Sequence, residues 1–342
     1  MPEITVVITA YNLEKYLDRC FEQIFAQTYQ DFDVLVVDDC STDGTRGLID
    51  RWALRYPDRF RKLYLEHNTG APSLARNAAL DSGLIDGESF LFMDGDDEIE
   101  PTLLEKLHDA LTGRHADVAI CGYDRVDADT GRVLCREMLG FPATVDMPPS
   151  DDVLAFVNTA PWNKLWRREI FGDGRFPPFR VGEEVALLFT RYLRSRRLAF
   201  VDEVLIHYSV HAGSVISNTS QETIRQFAGE LAQCHRALKE PVSRDTMGLI
   251  TFMHIGISMA IRAMDNRTIR LNEHLRWTWR YLTQNYGGMK GNPFLRLRSL
   301  ARHGAKGIGL WGCLICYRLH IFLPVLRLYG WASRALHVDI KF

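Results

Sequence analysis

The stretch "SFLFMDGDDEIEP", Ser89 to Pro101, joins an unbroken apolar run to four acidic side chains, Asp94, Asp96, Asp97 and Glu98. An apolar run without polar alternation is the pattern of a strand covered on both faces, as in a parallel sheet flanked by helices. Carboxylates so close together repel one another unless a cation answers them. Mg2+ and Mn2+ suit such a place, because ions of this kind are held by one or two carboxylates together with substrate phosphates. Taken alone, the same residues would also begin a turn and cap the helix after Pro101. The spacing of an EF-hand is absent.

Working outward, "ITVVIT" (4–9) and "DVLVVDD" (33–39) are two more buried strands. Between them "LEKYLDRCFEQIFAQ" places Leu17, Cys20, Phe21, Ile24 and Phe25 at helical spacing. After "CSTDGT" a second helix runs to about Tyr56, followed by the strand "FRKLYLE", the helix "PSLARNAALDSGL" and the strand "FLFMD". A helix over 102–112, the strand "ADVAICGY" and a hairpin around "DADTGRV" come next. The alternation predicts an α/β fold with a mostly parallel sheet and flanking helices. "DMPPSDD" breaks the pattern before a mixed segment, 150–217, and from Thr219 onward the periodicity is helical. The expected organisation is an α/β domain over 1–217, with halves 1–125 and 126–217, and a helical region over 218–342.

Ligands of open parallel sheets bind at the carboxyl ends of the strands. Three polar signals stand there: Thr9-Ala10-Tyr11-Asn12, Asp38-Asp39, and Asp94-x-Asp96-Asp97. A tyrosine can stack on a base, a carboxylate can accept from a base or ribose, and Asp-x-Asp offers hard oxygen ligands to Mg2+ or Mn2+.

The composition of the 342 residues, 46% hydrophobic and 25% charged, is that of a globular protein and excludes disorder. A formal charge of −2 gives no footprint for a nucleic-acid partner. It conceals an asymmetry: from Lys290 to the end nine Lys/Arg face only Asp339, net +8, which leaves −10 for 1–289. Seven scattered cysteines argue against a secreted disulfide scaffold, and the lone pair Cys313 and Cys316 reads as packing on a helix. "MPEITVVITAYN" has no basic n-region and reads as a first strand, so the expected location is the cytosol.

Three spaced segments, "VVITAYNLEKYLDRCFEQIFAQTYQDFDVLVVDDCSTDGT", "HNTGAPSLARNAAL" and "FLFMDGDDEIEP", together resemble the family 2 glycosyltransferases of the GT-A fold. These transfer a sugar from a nucleotide-sugar donor with inversion. The resemblance is close over 4–125 and looser over 161–217. It implies that Thr9, Tyr11 and Asp39 hold the nucleobase and ribose, that Arg76 lies beside the nucleotide, and that Asp94 and Asp96 form the metal motif for Mn2+ or Mg2+. The family usually has Pro at Thr9 and Gly at Cys40, changes that remove no charged ligand.

In the second half "APWNKLWRREIF" resembles a segment ahead of the family's acceptor site, which implies acceptor binding by Trp162, Asn163 and Lys164. An exposed Trp offers a face to a sugar ring, whereas a core Trp would anchor the following helix. The order of "RVGEEVALLFTRYLRSRRLAFVDEVLIHYSVHAGS" resembles the segment that carries the catalytic base. Glu184 stands in place of the customary Asp, with Glu183 as the alternative; both would also simply suit a helix N-terminus. Ser209 stands where many members have Arg. His211 occupies a further basic position, from which it would reach the metal or diphosphate.

The basic tail combines its charge with Trp311, Leu314, Ile315, Tyr317, Ile321, Phe322, Leu323 and Leu326. "GIGLWGCLICY" is too short to span a bilayer, so amphipathic helices lying on an anionic cytoplasmic leaflet are expected. Packing on the catalytic domain or on a second copy, as a homo-oligomer, is the other use of such helices. The expected function is a metal-dependent inverting glycosyltransferase of bacterial surface-polysaccharide assembly, moving a sugar from a UDP-sugar to a saccharide or lipid-linked acceptor. A nucleotidyltransferase would show a Gly-rich basic loop after the first strand, which "TAYNLEKY" is not. A non-catalytic saccharide-binding relative would have no need of Asp94, Asp96 and a carboxylate at 184.

Overall fold

A computed structural model describes residues 2–149, 152–178, 182–210, 220–237, 244–265, 269–289 and 291–336. The chain divides into two compact units. The first comprises Met1–Met147, Asn158–Pro178 and Gly182–Gly213; the second comprises Pro148–Val157, Phe179–Val181 and Ser214–Phe342. The boundary expected near 217 falls outside the described residues.

The first unit is built on one sheet. Its strands are β1 (Ile4–Ala10), β2 (Phe32–Asp38), β3 (Phe60–Tyr64), β4 (Ser89–Asp94), β5 (Glu98–Ile99), β6 (Val118–Asp127), β7 (Val133–Glu137), β8 (Thr144–Asp146), β9 (Lys164–Arg167) and β10 (Arg197–Val210). Their order is β3-β2-β1-β4-β9-β6-β10-β5, with β7 on β6 and β8 on β10. Strands β1 to β4 are parallel, and all of β1 and β2 is buried, which is why both read as unbroken apolar runs. Strand β9 runs antiparallel between β4 and β6, while β10 is parallel to β6. The hairpin expected around 127–133 joins β6 to β7.

Helices α1 (Leu17–Phe25), α2 (Thr45–Arg55), α3 (Pro72–Asp81) and α4 (Leu103–Gly113) alternate with the parallel strands, and α5 (Arg168–Phe171) and α6 (Glu183–Arg194) follow β9. Leu17, Cys20, Phe21 and Ile24 turn the apolar stripe of α1 into the core, and burial of each large side chain contributes roughly 1.5–3 kcal/mol. The helix begins at Leu17, where its apolar spacing begins. The Leu13 and Glu14 amides donate to Thr45 Oγ1 and Asp43 Oδ2, so the loop after β2 holds 13–16 as a turn.

The second unit contains α7 (Gln221–Ala237), α8 (Arg244–Thr251), α9 (Met259–Asp265), α10 (Leu271–Tyr286), α11 (Leu297–Leu300), α12 (Gly304–Arg318) and α13 (Phe322–Leu336). A π-helical turn, Phe252–Ser258, links α8 to α9. Among the described residues one helical run, Arg244–Met264, is long and apolar enough to cross a membrane, but 67% of its apolar window is buried inside the protein, as in a core helix. Cys313 and Cys316 are free thiols on α12.

Candidate active site

The register places three strand ends side by side. Thr9 pairs with Val37 on one side and Asp94 on the other, and Ala10 pairs with Asp38. Gly95 follows directly, and a Cβ there would lie 2.9 Å from Leu13 Cδ1 and 3.0 Å from Leu17 Cδ1. The absence of a side chain thus lets the Asp-x-Asp turn settle on the start of α1. Asn12 adopts φ 53°, a left-handed conformation that Asn tolerates, and its Oδ1 accepts from the Thr42 amide at 2.8 Å. Its own amide donates to Ser41 Oγ at 2.9 Å. These bonds lock the loop after β1 to the loop after β2 and leave the Tyr11 ring 49% exposed, open to stacking.

The paired aspartates after β2 have different tasks. Asp38 is fully buried and takes Arg46 Nε at 2.6 Å, a structural ion pair. Asp39 accepts from the Thr69 amide at 2.7 Å and from Thr69 Oγ1 at 2.9 Å. Its Oδ2 also accepts from Asn68 Nδ2 at 3.4 Å, so it fixes the loop before α3.

Arg76 on α3 is the hub. Only 2% exposed, it donates through Nη2 to Asp94 Oδ1 at 2.6 Å and through Nη1 to Glu184 Oε1 at 2.9 Å. Its guanidinium carbon lies 5.9 Å from the ring centroids of both Phe92 and Phe176. One planar cation thereby joins the Asp-x-Asp end of β4 to the first turn of α6, a task that suits the fork of Arg. Gly182, at φ 84°, makes the left-handed entry that starts α6 there. Burial raises the Glu184 pKa; Arg76 opposes that shift and Asp94 adds to it.

Asp97 is buried and its Oδ1 accepts from the Ser209 amide at 3.2 Å, while Oδ2 has no hydrogen-bond partner. Burial, reinforced by the charges of Asp94 and Asp96, holds its carboxyl well above the usual range. The same surplus of negative charge, after burial itself, helps push Tyr208 up to about 12. An orphaned carboxylate oxygen beside two further carboxylates fits a divalent cation. No cluster of three or more His, Cys, Asp or Glu side chains with metal-site geometry occurs among the described residues. His211 lies outside the described residues.

Residues 5–157 match the family model described as "Glycosyl transferase family 2". The matched segment is a family 2 glycosyltransferase domain. The chain is similar to glycosyltransferase GlyG of Streptococcus pneumoniae serotype 4, 28% identical over 247 residues that cover 68% of this chain and 80% of GlyG. It is also similar to poly(ribitol-phosphate) beta-N-acetylglucosaminyltransferase TarS of Staphylococcus aureus, 27% identical over 218 residues that cover 61% of this chain but only 36% of TarS. Among solved structures, TarS residues 1–349 in complex with UDP-GlcNAc share its fold, with TM-score 0.67 and 22% identity over 93% of this chain and 92% of that one.

In this glycosyltransferase the segment expected to meet the acceptor is largely internal. Asn163 and Lys164 are fully buried. Asn163 Nδ2 donates to the Cys121 carbonyl at 2.8 Å, and Lys164 Nζ donates to Asn158 Oδ1 and the Ala160 carbonyl, both at 2.6 Å, and to Asn163 Oδ1. Burial pulls Lys164 down to about 7. Three oxygens around one nitrogen match the three donors of an ammonium, so the protonated form is the one this cage accommodates. The polar atoms of both side chains are engaged inside the protein, where they brace β9 and the turn before it. Trp162 is 8% exposed, stacked on Tyr208 at 5.1 Å and edge-on to Tyr123 at 4.6 Å.

Two further supports were given no site role from the sequence. Asn77, next to Arg76, exchanges two 2.8 Å hydrogen bonds with the backbone of Phe176, which pins the segment that packs on Arg76. His207 Nδ1 contacts Asp124 at 2.7 Å and Nε2 contacts Glu100 at 3.0 Å. The two carboxylates outweigh burial and raise its pKa. The reciprocal amide pair at Asn77 leaves no sequence signal beyond the Asn itself.

Proposed function

We propose that this glycosyltransferase transfers a sugar with inversion from a UDP-sugar to a saccharide or lipid-linked saccharide of a bacterial surface polymer. The observation that carries the reading is Arg76, whose two terminal nitrogens hold Asp94 of the donor motif and Glu184 of the acceptor half. Tyr11 stacks on the base, Asp39 accepts from base or ribose, and Thr9 lines the strand end between them. Asp94 and Asp96 would hold Mn2+ or Mg2+, whose charge would offset that of the departing diphosphate. Glu184 takes the proton of the acceptor hydroxyl, and Arg76 sets where its carboxylate stands. Tyr208 and Trp162 form the aromatic floor on the acceptor side. The reading is supported by UDP-GlcNAc in the TarS structure, whose fold this chain shares. The C-terminal basic helices hold the enzyme at the cytoplasmic face of the membrane.

The test is a donor-hydrolysis screen over UDP-, GDP- and dTDP-sugars with added Mn2+ or Mg2+, set beside turnover of two variants on a competent acceptor. Glu184→Gln keeps the Arg76 hydrogen bond but cannot take a proton. Turnover falls by roughly 10²–10⁴ with calorimetric affinity for the nucleoside diphosphate nearly unchanged, and Glu183→Gln does much less. Normal turnover by Glu184→Gln overturns the assignment, and loss confined to Glu183→Gln moves the base by one residue.

A further inference from the structure

The segment "PFLRLRSLARHGAK", Pro293–Lys306, carries Arg296, Arg298, Arg302, His303 and Lys306 and no acidic residue. It folds as a succession of short turns: a 3-10 turn at Pro293–Leu295, the one-turn helix α11 and a second 3-10 turn at Ala301–His303. Asn292 caps the first turn, its Oδ1 accepting from the Phe294 amide at 2.9 Å. This compact winding gathers Arg296, Arg298 and Arg302, with Ser299 and Pro293, around one depression of about 310 Å³ open to solvent.

Three arginines line one hollow, and among the described residues little acid is paired with them. The carboxylate paired with this segment is Asp152, which is buried. It lies 3.2 Å from His303 Nε2, accepts from Ser299 Oγ at 3.4 Å and sits 3.8 Å from Arg302 Nη2. Burial works against its charge, but His303 and Arg302 together hold the Asp152 pKa below the usual range. His303 is further fixed by stacking on Phe156 at 3.6 Å. Arg302 also donates to Ser299 Oγ at 3.1 Å, so its fork is oriented from below. Among the described residues neither Arg296 nor Arg298 has an acidic side chain within ion-pair distance.

We propose that this hollow is a phosphate socket and that its occupant is the headgroup phosphate of an anionic lipid. Arginine clusters recognise phosphate through paired N–H donors. The surroundings choose the source. Leu297, between Arg296 and Arg298, is 45% exposed, and Ile308, Leu319, Ile321, Val325 and Leu328 are also exposed large hydrophobics of the same unit. Apolar side chains set beside a +8 segment complement an interface of acyl chains and anionic headgroups, whereas a soluble phosphate has no use for them. The proposal rests on the membrane-contact reading of the tail and adds to it a defined point of attachment.

The experiment is flotation of the full-length protein with vesicles of phosphatidylcholine containing phosphatidic acid, or containing oleate at the same surface charge. Two variants of equal charge loss are compared, Arg296→Gln/Arg298→Gln in the socket and Lys306→Gln/Arg327→Gln outside it. The expected result is preference for phosphatidic acid over oleate, and a loss of partitioning in the socket variant about tenfold greater than in the control. Hydrolysis of soluble donor and the urea midpoint stay as in the parent for both. Equal losses in the two variants, or equal binding to both vesicles, overturns the socket while leaving general membrane attraction standing. A parent that stays unbound at low salt overturns the membrane reading and the socket together. Calorimetric binding of glycerol 3-phosphate, lost in the socket variant without any flotation of the parent, assigns the hollow to a soluble phosphate and overturns the lipid.

Discussion

Arg76→Met would separate the two carboxylates that the site brings together. The guanidinium donates to Asp94 at 2.6 Å and Glu184 at 2.9 Å from between the rings of Phe92 and Phe176. Methionine fills that slot without charge. Removing one partner of a buried ion pair costs about 3–5 kcal/mol. Here the Asp94 and Glu184 side chains keep 25% and 35% of their surface in contact with water, which screens part of the loss, so about 3 kcal/mol is expected. Arg76→Lys keeps the charge but not the fork; it loses one charge-assisted bond, worth about 1.5–3 kcal/mol. Urea unfolding with an unchanged m value measures both. A second readout follows from the sign of the Glu184 shift. Its pKa is already raised, chiefly by burial, with Arg76 acting to lower it. A general base works deprotonated, so activity is lost as pH falls through that pKa. Without Arg76 the pKa rises further, and the acid limb of kcat/KM, at saturating metal, moves to higher pH. An Arg76→Met protein that unfolds at the parent's urea concentration and keeps the parent's acid limb refutes the reasoning.

Lys164→Met leaves three oxygens without their donor and is expected to cost at least about 3 kcal/mol by urea unfolding, with nucleotide affinity of the folded protein unchanged; parental stability combined with weaker acceptor binding would restore Lys164 as an acceptor residue. Cys40 adopts φ 61°, where a side chain costs roughly 1–2 kcal/mol and glycine does not. Allowing for the extra freedom glycine gains on unfolding, Cys40→Gly is expected to stabilise by about 0.5–1 kcal/mol, read as a raised urea midpoint.

The parallel half was legible because β1 and β2 are buried over their whole length and α1 carries an apolar stripe, so the local pattern and the tertiary environment agree. Asp94 and Asp96 drew attention because a strand end and a spaced motif mark them, and Arg76 because of the family resemblance. The family's preference for Gly at position 40 also finds its physical cause, a left-handed backbone. What the sequence did not disclose are contacts between segments far apart. Nothing in "LARNAA" says that one arginine reaches Glu184, 108 positions on. Nothing in "PWNKLW" distinguishes a polar side chain turned to a substrate from one caged by carbonyls, since both need the same residue types. Lys164 is a side chain of the caged sort, and the bonds that tie Leu13 and Glu14 to partners 32 and 29 residues away are contacts between distant segments.

Strand β9 has a consequence for the order of synthesis. Only four residues long, it closes the gap between β4 and β6, yet it leaves the ribosome roughly 70 residues after β4 is complete. At about 5–20 residues per second that interval is about 4–15 s. Throughout it the edge of β4, with Phe90 and Leu91, offers unpaired backbone groups to any passing strand. The family match ends at residue 157, just short of this closure. A fragment cut to the limits of the match would carry the whole Asp-x-Asp motif on a sheet whose central seam is permanently open, and would be a template for aggregation instead of a smaller enzyme.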